Sequence, residues 1–322
     1  MTNNLEFNNG WQEAVIVVSD LNRIAKDLEI VGDWKILAEG ELEQEQLKLW
    51  SLNDNAKGKY KLVRNPDTSK GYLRFIQLDN IEQEQIRPSG QIWESGGIFD
   101  LNFRVTEIED KYKKLLARGW TAYNDPTEYD FGPVTVSEVL MVGPDGVCFA
   151  LIERIAPPLE EDGEPYAISR TFNSTMIVRD IDKSFKFFKD KLGFNTVMEV
   201  LGHRLDAGPN VLGLAHNIVP NHAMNVYIVH PNGVTDGSIE LLKLDDLEGR
   251  NFTPKAKPYN LGITSLRFPV TNIDQQYDDL KDKDVKPIYE PTTLEMQPYG
   301  KVKIFALELP EGGWVEYFEP LN

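Results

Sequence analysis

Cysteine is almost missing from this chain of 322 residues, with Cys148 standing alone. One cysteine excludes an internal disulfide framework and any Cys-rich zinc site. Free cysteine usually packs as a small hydrophobe, so Cys148 reads first as a buried strand residue and second as a catalytic thiol. Basic residues are also short: 34 Lys and Arg face 51 Asp and Glu, for a net charge of −17. A nucleic-acid binder needs a basic face to neutralise phosphates. No nucleic-acid partner is therefore expected, nor docking on anionic lipid. No apolar run approaches the ~18 residues that suggest a membrane span. The opening MTNNLEFNNGWQEA has no basic region followed by an apolar stretch, unlike a secretory signal. The expected compartment is the cytoplasm. Glycine-rich nucleotide loops, a nucleophile elbow and an HExxH pattern are all missing, which disfavours a dehydrogenase, kinase, serine hydrolase or zinc protease.

What the chain does contain is itself, twice. "LNFRVTEIEDKYKKLL" from Leu101 returns as "LRFPVTNIDQQYDDLK" from Leu266, an offset of 165. "VVSDL" at Val17–Leu21 returns as "IVRDI" at Ile177–Ile181, an offset of 160, and "GPDGVCFALIE" ending at Glu153 returns as "LPEGGWVEYFE" ending at Glu319, an offset of 166. A near-constant offset over separated segments means a duplicated unit. Each unit holds two smaller ones. An alternating apolar strand leads to a turn carrying Asp20, Glu107, Asp180 or Asn272, and then to a helix. Ile181, Phe185, Phe188 and Leu192 fall at helical spacing with one face inward. Asp180 or Asp182 is placed to cap that helix, and Gly193 to end it. Three β-rich runs follow, at Asn195–Val200, Asn225–His230 and Ser238–Lys243 in the third module. The modules fall near residues 10–80, 96–155, 171–245 and 260–320.

Four βαβββ modules with a "V-x-D" turn after the first strand, a "P-[DE]-G" turn before the last, and "I-E-L" at Ile239–Leu241 resemble the vicinal oxygen chelate superfamily. That group includes glyoxalase I, extradiol ring-cleaving dioxygenases, and fosfomycin- and bleomycin-resistance proteins. The resemblance covers nearly the whole chain. It implies an α+β fold of two tandem glyoxalase-like half-barrel domains, residues 1–155 and 171–322, joined by a linker at 156–170. Modules pair either within halves or across them, first with fourth and second with third. The sequence leaves that choice open.

In metal-using members of the family a His lies on each first strand and a Glu on each last strand. Here the first-strand positions carry Glu13, Asp100, Asn173 and Ser265, and the last-strand positions Ala150, Glu240 and Glu316. In the first module Arg74 and Ile76 compete for that place, because a one-residue slip turns the other face inward. The resemblance makes Glu240 and Glu316 the candidate bases, or ligands of a hard cation, with Glu13, Asp100, Asn173 and Ser265 as ligand-binding positions. The bland alternative is a pair of strand-end carboxylates. A divalent cation (Mn, Mg or Fe) and no cofactor at all both stay open. Pairing across halves would group Glu13 with Ser265 and Glu316, and Asp100 with Asn173 and Glu240. All four histidines, His203, His216, His222 and His230, fall in the third module. His216 is the candidate acid or base among them, and His230 reads as a surface residue at a strand end. The expected activity is proton transfer of the lyase or isomerase kind on a small oxygenated molecule. A sequestering protein of the resistance type and an atypical extradiol dioxygenase are the alternatives. The expected partner is a small-molecule substrate or ligand, and the expected assembly a monomer or homodimer.

Overall fold

The computed structural model describes residues 5–66, 68–159 and 167–321. The strand–helix–strands order recurs four times, as the repeats require. The first module comprises β1 (Glu13–Val17), α1 (Arg23–Gly32), β2 (Lys35–Glu41), α2 (Gln44–Leu49), β3 (Lys57–Arg64) and β4 (Tyr72–Asp79). The second comprises β5 (Asp100–Val105), α3 (Ile108–Ala117), β6 (Thr121–Ala122), β7 (Thr127–Phe131), β8 (Val134–Val142) and β9 (Cys148–Ala156). The third comprises β10 (Ile168–Ile177), α4 (Ile181–Lys186), β11 (Asn195–His203), β12 (Met224–His230) and β13 (Ser238–Leu244). The fourth comprises β14 (Gly262–Pro269), α5 (Ile273–Asp282), β15 (Thr292–Glu295), β16 (Lys301–Glu308) and β17 (Trp314–Pro320).

These strands form two curled mixed sheets, and the fold is α+β. The first sheet runs β15-β16-β17-β14-β1-β4-β3-β2, and the second β11-β12-β13-β10-β5-β9-β8-β6 with β7 on β8. Each first strand lies parallel to the last strand of its own module. Its other edge would leave N–H and C=O groups unpaired. That edge is closed by a first strand from the opposite half, β1 by β14 and β5 by β10, both antiparallel. The sheets are therefore built across the halves 1–155 and 171–322, not within them. Alternation of apolar residues is the same in all four first strands, so it could not say which edges meet. The expected linker also starts too early and ends too late. β9 runs to Ala156 and β10 begins at Ile168, while residues 160–166 at its centre lie outside the described residues.

The repeated motifs have a shared structural reason. Asp180 caps α4 by accepting from the Lys183 N–H at 2.9 Å, and Asn272 caps α5 by accepting from the Gln275 N–H at 3.1 Å. The glutamates that end the third repeat also serve helix N-termini. Glu153 accepts from the Glu107 and Ile108 N–H groups at 3.0 and 3.2 Å, and Glu319 from the Ile273 N–H at 3.0 Å. A carboxylate there satisfies orphan donors and meets the positive end of the helix dipole. The acid of each P-[DE]-G turn reaches across to the V-x-D turn of the preceding module. Asp145 accepts from the Ser19 N–H at 2.8 Å, and Glu311 from the Arg179 N–H at 3.0 Å. The sheets tie the halves together, and these turns tie the modules within each half.

One continuous apolar cluster lies behind both sheets. It joins Ile16, Phe75, Leu266 and Phe268 of the first sheet to Leu101, Phe103, Phe149 and Leu241 of the second, with Leu28, Ile108, Leu115 and Leu280 from the helices. The opposite faces differ. In the first sheet Val15, Val17, Ile76 and Ala306 are covered by Leu47 of α2 and Trp50 just beyond it. In the second sheet that face encloses a cavity. No helix among the described residues is long and apolar enough to cross a membrane.

Candidate functional site

The cavity of the second sheet holds about 180 Å³. Strand register decides which side chains reach it. Glu240 of β13, Thr175 of β10 and Asp100 of β5 are direct neighbours across three adjacent strands. One step along, Asn173 of β10 and Asn102 of β5 are paired, and Ala150 of β9 lies beside Asn102. Asp100, Asn102, Asn173, Thr175 and Glu240 line the cavity together with Glu138 of β8. Apolar walls come from Tyr129, Phe131, Leu140, Phe172, Met224, Ile228 and Leu242, with Arg104 and Arg154 also on the wall.

Neutral hydrogen bonds order the polar floor. Asn102 Nδ2 donates to Asn173 Oδ1 at 3.0 Å, and Asn173 Nδ2 donates to Ser238 Oγ at 3.0 Å. The Thr175 N–H donates to Asp100 Oδ1 at 3.3 Å, and the Tyr129 hydroxyl donates to Glu138. Among the described residues none of the three carboxyl groups is in an ion pair, and the hydrogen bonds from Thr175 and Tyr129 offset only part of the loss of water around Asp100 and Glu138. Burial pushes Asp100 up to about 7 and Glu138 to about 7. Burial pushes Glu240 to about 8, with the neighbouring charges of Asp100 and Glu138 adding to it. Desolvation disfavours the charged form of an acid, and like charges nearby do the same. Near neutral pH these groups sit where they can both give and take a proton.

The matching region of the first sheet is a closed ion-pair network. Arg74 grips Glu13 through Nε at 2.6 Å and Nη2 at 3.0 Å. Arg267 bridges Glu13 at 2.9 Å and Glu316 at 2.7 Å. Ser265 donates to Glu316 at 2.8 Å, and the Tyr299 hydroxyl to Glu13 at 2.9 Å. The Arg74 guanidinium also lies 4.9 Å from the centre of the Tyr60 ring. Glu13, Arg267 and Glu316 are each 0% exposed and Arg74 is 2% exposed. Burial alone would raise the Glu13 carboxyl, but Arg74 and Arg267 outweigh it and hold Glu13 below its ordinary value. Two carboxylates and two guanidiniums make this interior electrically neutral.

The structure thus sorts the expected residues into two sets. Asp100, Asn173 and Glu240 come together at the cavity. Glu13, Ser265 and Glu316 come together in the buried network, where Glu316 is salt-bridged and has no open site to serve. Glu240 and Glu316 lie in different sheets, so one ion cannot bind both. Register settles the place left open in the first module: Arg74, opposite Val15, occupies it. His216 is exposed and lies outside the cavity lining. His230 does end β12 but is fully buried, with Gly10 packed against its ring. Its Nδ1 accepts from the Asn232 N–H at 2.9 Å, and burial pushes its pKa down to about 4. Cys148 is buried at the start of β9, as its composition-based reading expects.

Glu138 was not among the sequence candidates. The signal was there: a single acid in the apolar strand VTVSEVLMV, in the same alternate register as Val136 and Leu140. Arg267 carried a similar signal, as a lone cation inside GITSLRFP two residues past Ser265.

Residues 170–317 match the model of the Glyoxalase/Bleomycin resistance protein/Dioxygenase superfamily. This segment belongs to that superfamily. The whole chain shares the fold. Glyoxalase I from Zea mays superposes with a TM-score of 0.64 at 13% identity, covering 97% of this chain and 92% of that one. A putative dioxygenase from Bacillus subtilis subsp. subtilis str. 168 superposes with a TM-score of 0.59 at 11% identity, covering 99% and 87%. Likeness at such identities concerns the fold and leaves the chemistry open. A comparison with curated protein sequences finds no match. The divalent cation implied by the superfamily does not fit the residues present. In the first sheet, guanidinium groups fill the space between Glu13 and Glu316. In the second, Ala150 stands at one ligand position. Among the described residues no group of three or more His, Cys, Asp or Glu side chains is arranged to hold a metal ion.

Proposed function

We propose that the cavity of the second sheet binds a small organic molecule and that Glu240, with Asp100 and Glu138, moves protons on it. The observation that carries this reading is the set of three carboxyl groups without ion-pair partners on the floor of an apolar-walled cavity. Acids perturbed by burial in a cleft make it a functional-site candidate. Glu240 accepts or delivers the proton. Asn102, Asn173 and Thr175 orient the polar end of the molecule, and the aromatic and aliphatic walls exclude water. This is the chemistry of a lyase or isomerase step, with no stage routed through a metal.

A second reading is non-catalytic binding. It is favoured by the first-strand positions, none of which carries histidine. Ligands found by thermal shift separate the two when incubated with the protein in D₂O and followed by NMR. Proton transfer predicts deuterium entering the ligand at carbon, lost in Glu240→Gln while binding persists. Tight ligands that never exchange, with binding indifferent to the substitution, leave the sequestering role.

A further inference from the structure

The two sheets place the same fold positions in two clefts, and only one has its charges matched. In the first sheet Glu13 is paired across β14 with Arg267, and the last-strand position holds Arg74. In the second sheet Asp100 holds the place of Glu13. Its partner across β10 is Thr175, and the last-strand position is Ala150. The acids are kept and both cations are gone. Glu138 adds a third carboxyl from β8, and Glu240 makes no hydrogen bond or ion pair among the described residues.

We propose that the ligand of the second cleft is a small organic cation, an amine or guanidine on an apolar body, taken up between Asp100, Glu138 and Glu240. The proposal rests on reading that cleft as the binding site and adds the ligand's chemical class. The first cleft shows what this scaffold does with an acidic floor. It seats a guanidinium in bidentate contact with a carboxylate, over the face of Tyr60. The second cleft keeps the aromatic support, as Tyr129, Phe131 and Phe172 line it. A desolvated cation near an aromatic face and a carboxylate gains from both. Arg104 is engaged with Asp236 and stacked 4.3 Å from the Phe172 ring centre, and among the described residues neither it nor Arg154 forms an ion pair with Asp100, Glu138 or Glu240. A net charge of −17 also steers cations towards the molecule.

The test uses three probes of one shape and different charge: 2-phenylethylamine, 2-phenylethanol and 3-phenylpropanoate. Their dissociation constants are measured by titration calorimetry on the full chain at pH 7.5. The amine should bind at least about tenfold more tightly than the alcohol, with the carboxylate weakest. Glu240→Gln, or Asp100→Asn if the first variant does not fold, should erase most of that preference. Equal binding of amine and alcohol overturns the cationic ligand and leaves the cleft reading standing. An amine preference unchanged in both variants places the cation elsewhere and overturns the proposal. Failure of all three probes to bind removes the cleft reading itself, and the proposal with it.

Discussion

Glu240→Gln should stabilise the protein more at pH 8 than at pH 5. Burial raises the Glu240 carboxyl from an ordinary value of 4.5 to about 8 in the folded chain. An acid whose folded pKa is raised contributes fully below its unfolded pKa. That contribution is lost as pH climbs, because the unfolded chain ionises first and gains the proton-release free energy alone. The loss begins near pH 4.5 and levels off above about pH 8. Each unit of difference corresponds to about 1.4 kcal/mol. Between pH 5 and pH 8 the wild type should therefore lose about 3 kcal/mol through Glu240 alone. Asp100 and Glu138, raised to about 7 each, fall in the same window and steepen the wild-type profile. They remain in the variant, so the difference between the two proteins reports Glu240 together with its coupling to them. Urea unfolding of wild type and Glu240→Gln at pH 5, 6.5 and 8 measures it. Glutamine does not titrate, so the gap should widen by about 3 kcal/mol across that range. A gap that stays constant with pH means that Glu240 titrates in the folded chain as it does in the unfolded one, which would falsify the account of the cleft as a site that raises its acids.

Three further outcomes test the rest of the structure. Glu316→Gln leaves Arg267 buried with a single carboxylate and should cost about 3–5 kcal/mol in urea unfolding, without changing ligand binding in the second cleft. Gly10→Ala should lower the thermal midpoint, with a cost of about 1–3 kcal/mol. The position has φ +80°, and a Cβ there would stand 2.6 Å from His230 Nε2 and 2.8 Å from the Gly237 Cα. His216→Ala should change stability by less than about 0.5 kcal/mol and leave ligand exchange intact. Loss of exchange in that variant would bring His216 back as the acid or base.

Much of the architecture was legible because duplication repeats itself in chemistry as well as in apolar period. Asp180 and Asn272 of the acid turns, the acids of the P-[DE]-G turns, and Glu153 and Glu319 recur because each holds a backbone N–H at a helix start or a neighbouring turn. Their spacing is therefore fixed by the fold. Which modules share a sheet was not legible, since β1, β5, β10 and β14 present similar edges. Once the pairing is known, the grouping of Asp100 with Asn173 and Glu240 follows from positions the sequence already marked. Glu138 and Arg267 were missed for one physical reason. Each is a charged residue embedded in an apolar strand, where its meaning depends on what stands opposite. Opposite Arg267 stands Glu13, and the pair cancels. Beside Glu138 stand a tyrosine hydroxyl and two more acids, and among the described residues it forms no ion pair.

On the proposed reading, that difference separates a structural cleft from a working one. A buried carboxylate placed against a guanidinium recovers much of its lost hydration through Coulomb attraction and hydrogen bonds. The first cleft recovers it through three ion pairs between two acids and two guanidiniums, and is covered from outside by Leu47 of α2 and by Trp50. Among the described residues the second cleft keeps its acids without ion-pair partners and its interior partly open, and the raised acids should cost the folded chain stability near neutral pH. Selection for stability alone would replace Glu138 or Glu240 by glutamine or leucine, which pack in the same walls without ionising. Carboxyl groups that weaken the fold near neutral pH have a use where they meet something else, a proton in transit or a cation that binds. The pH profile of Glu240→Gln and the amine-against-alcohol titration read these two roles separately. A cleft that only shuttles protons will show the profile without the preference. A cleft that takes a cation will show both.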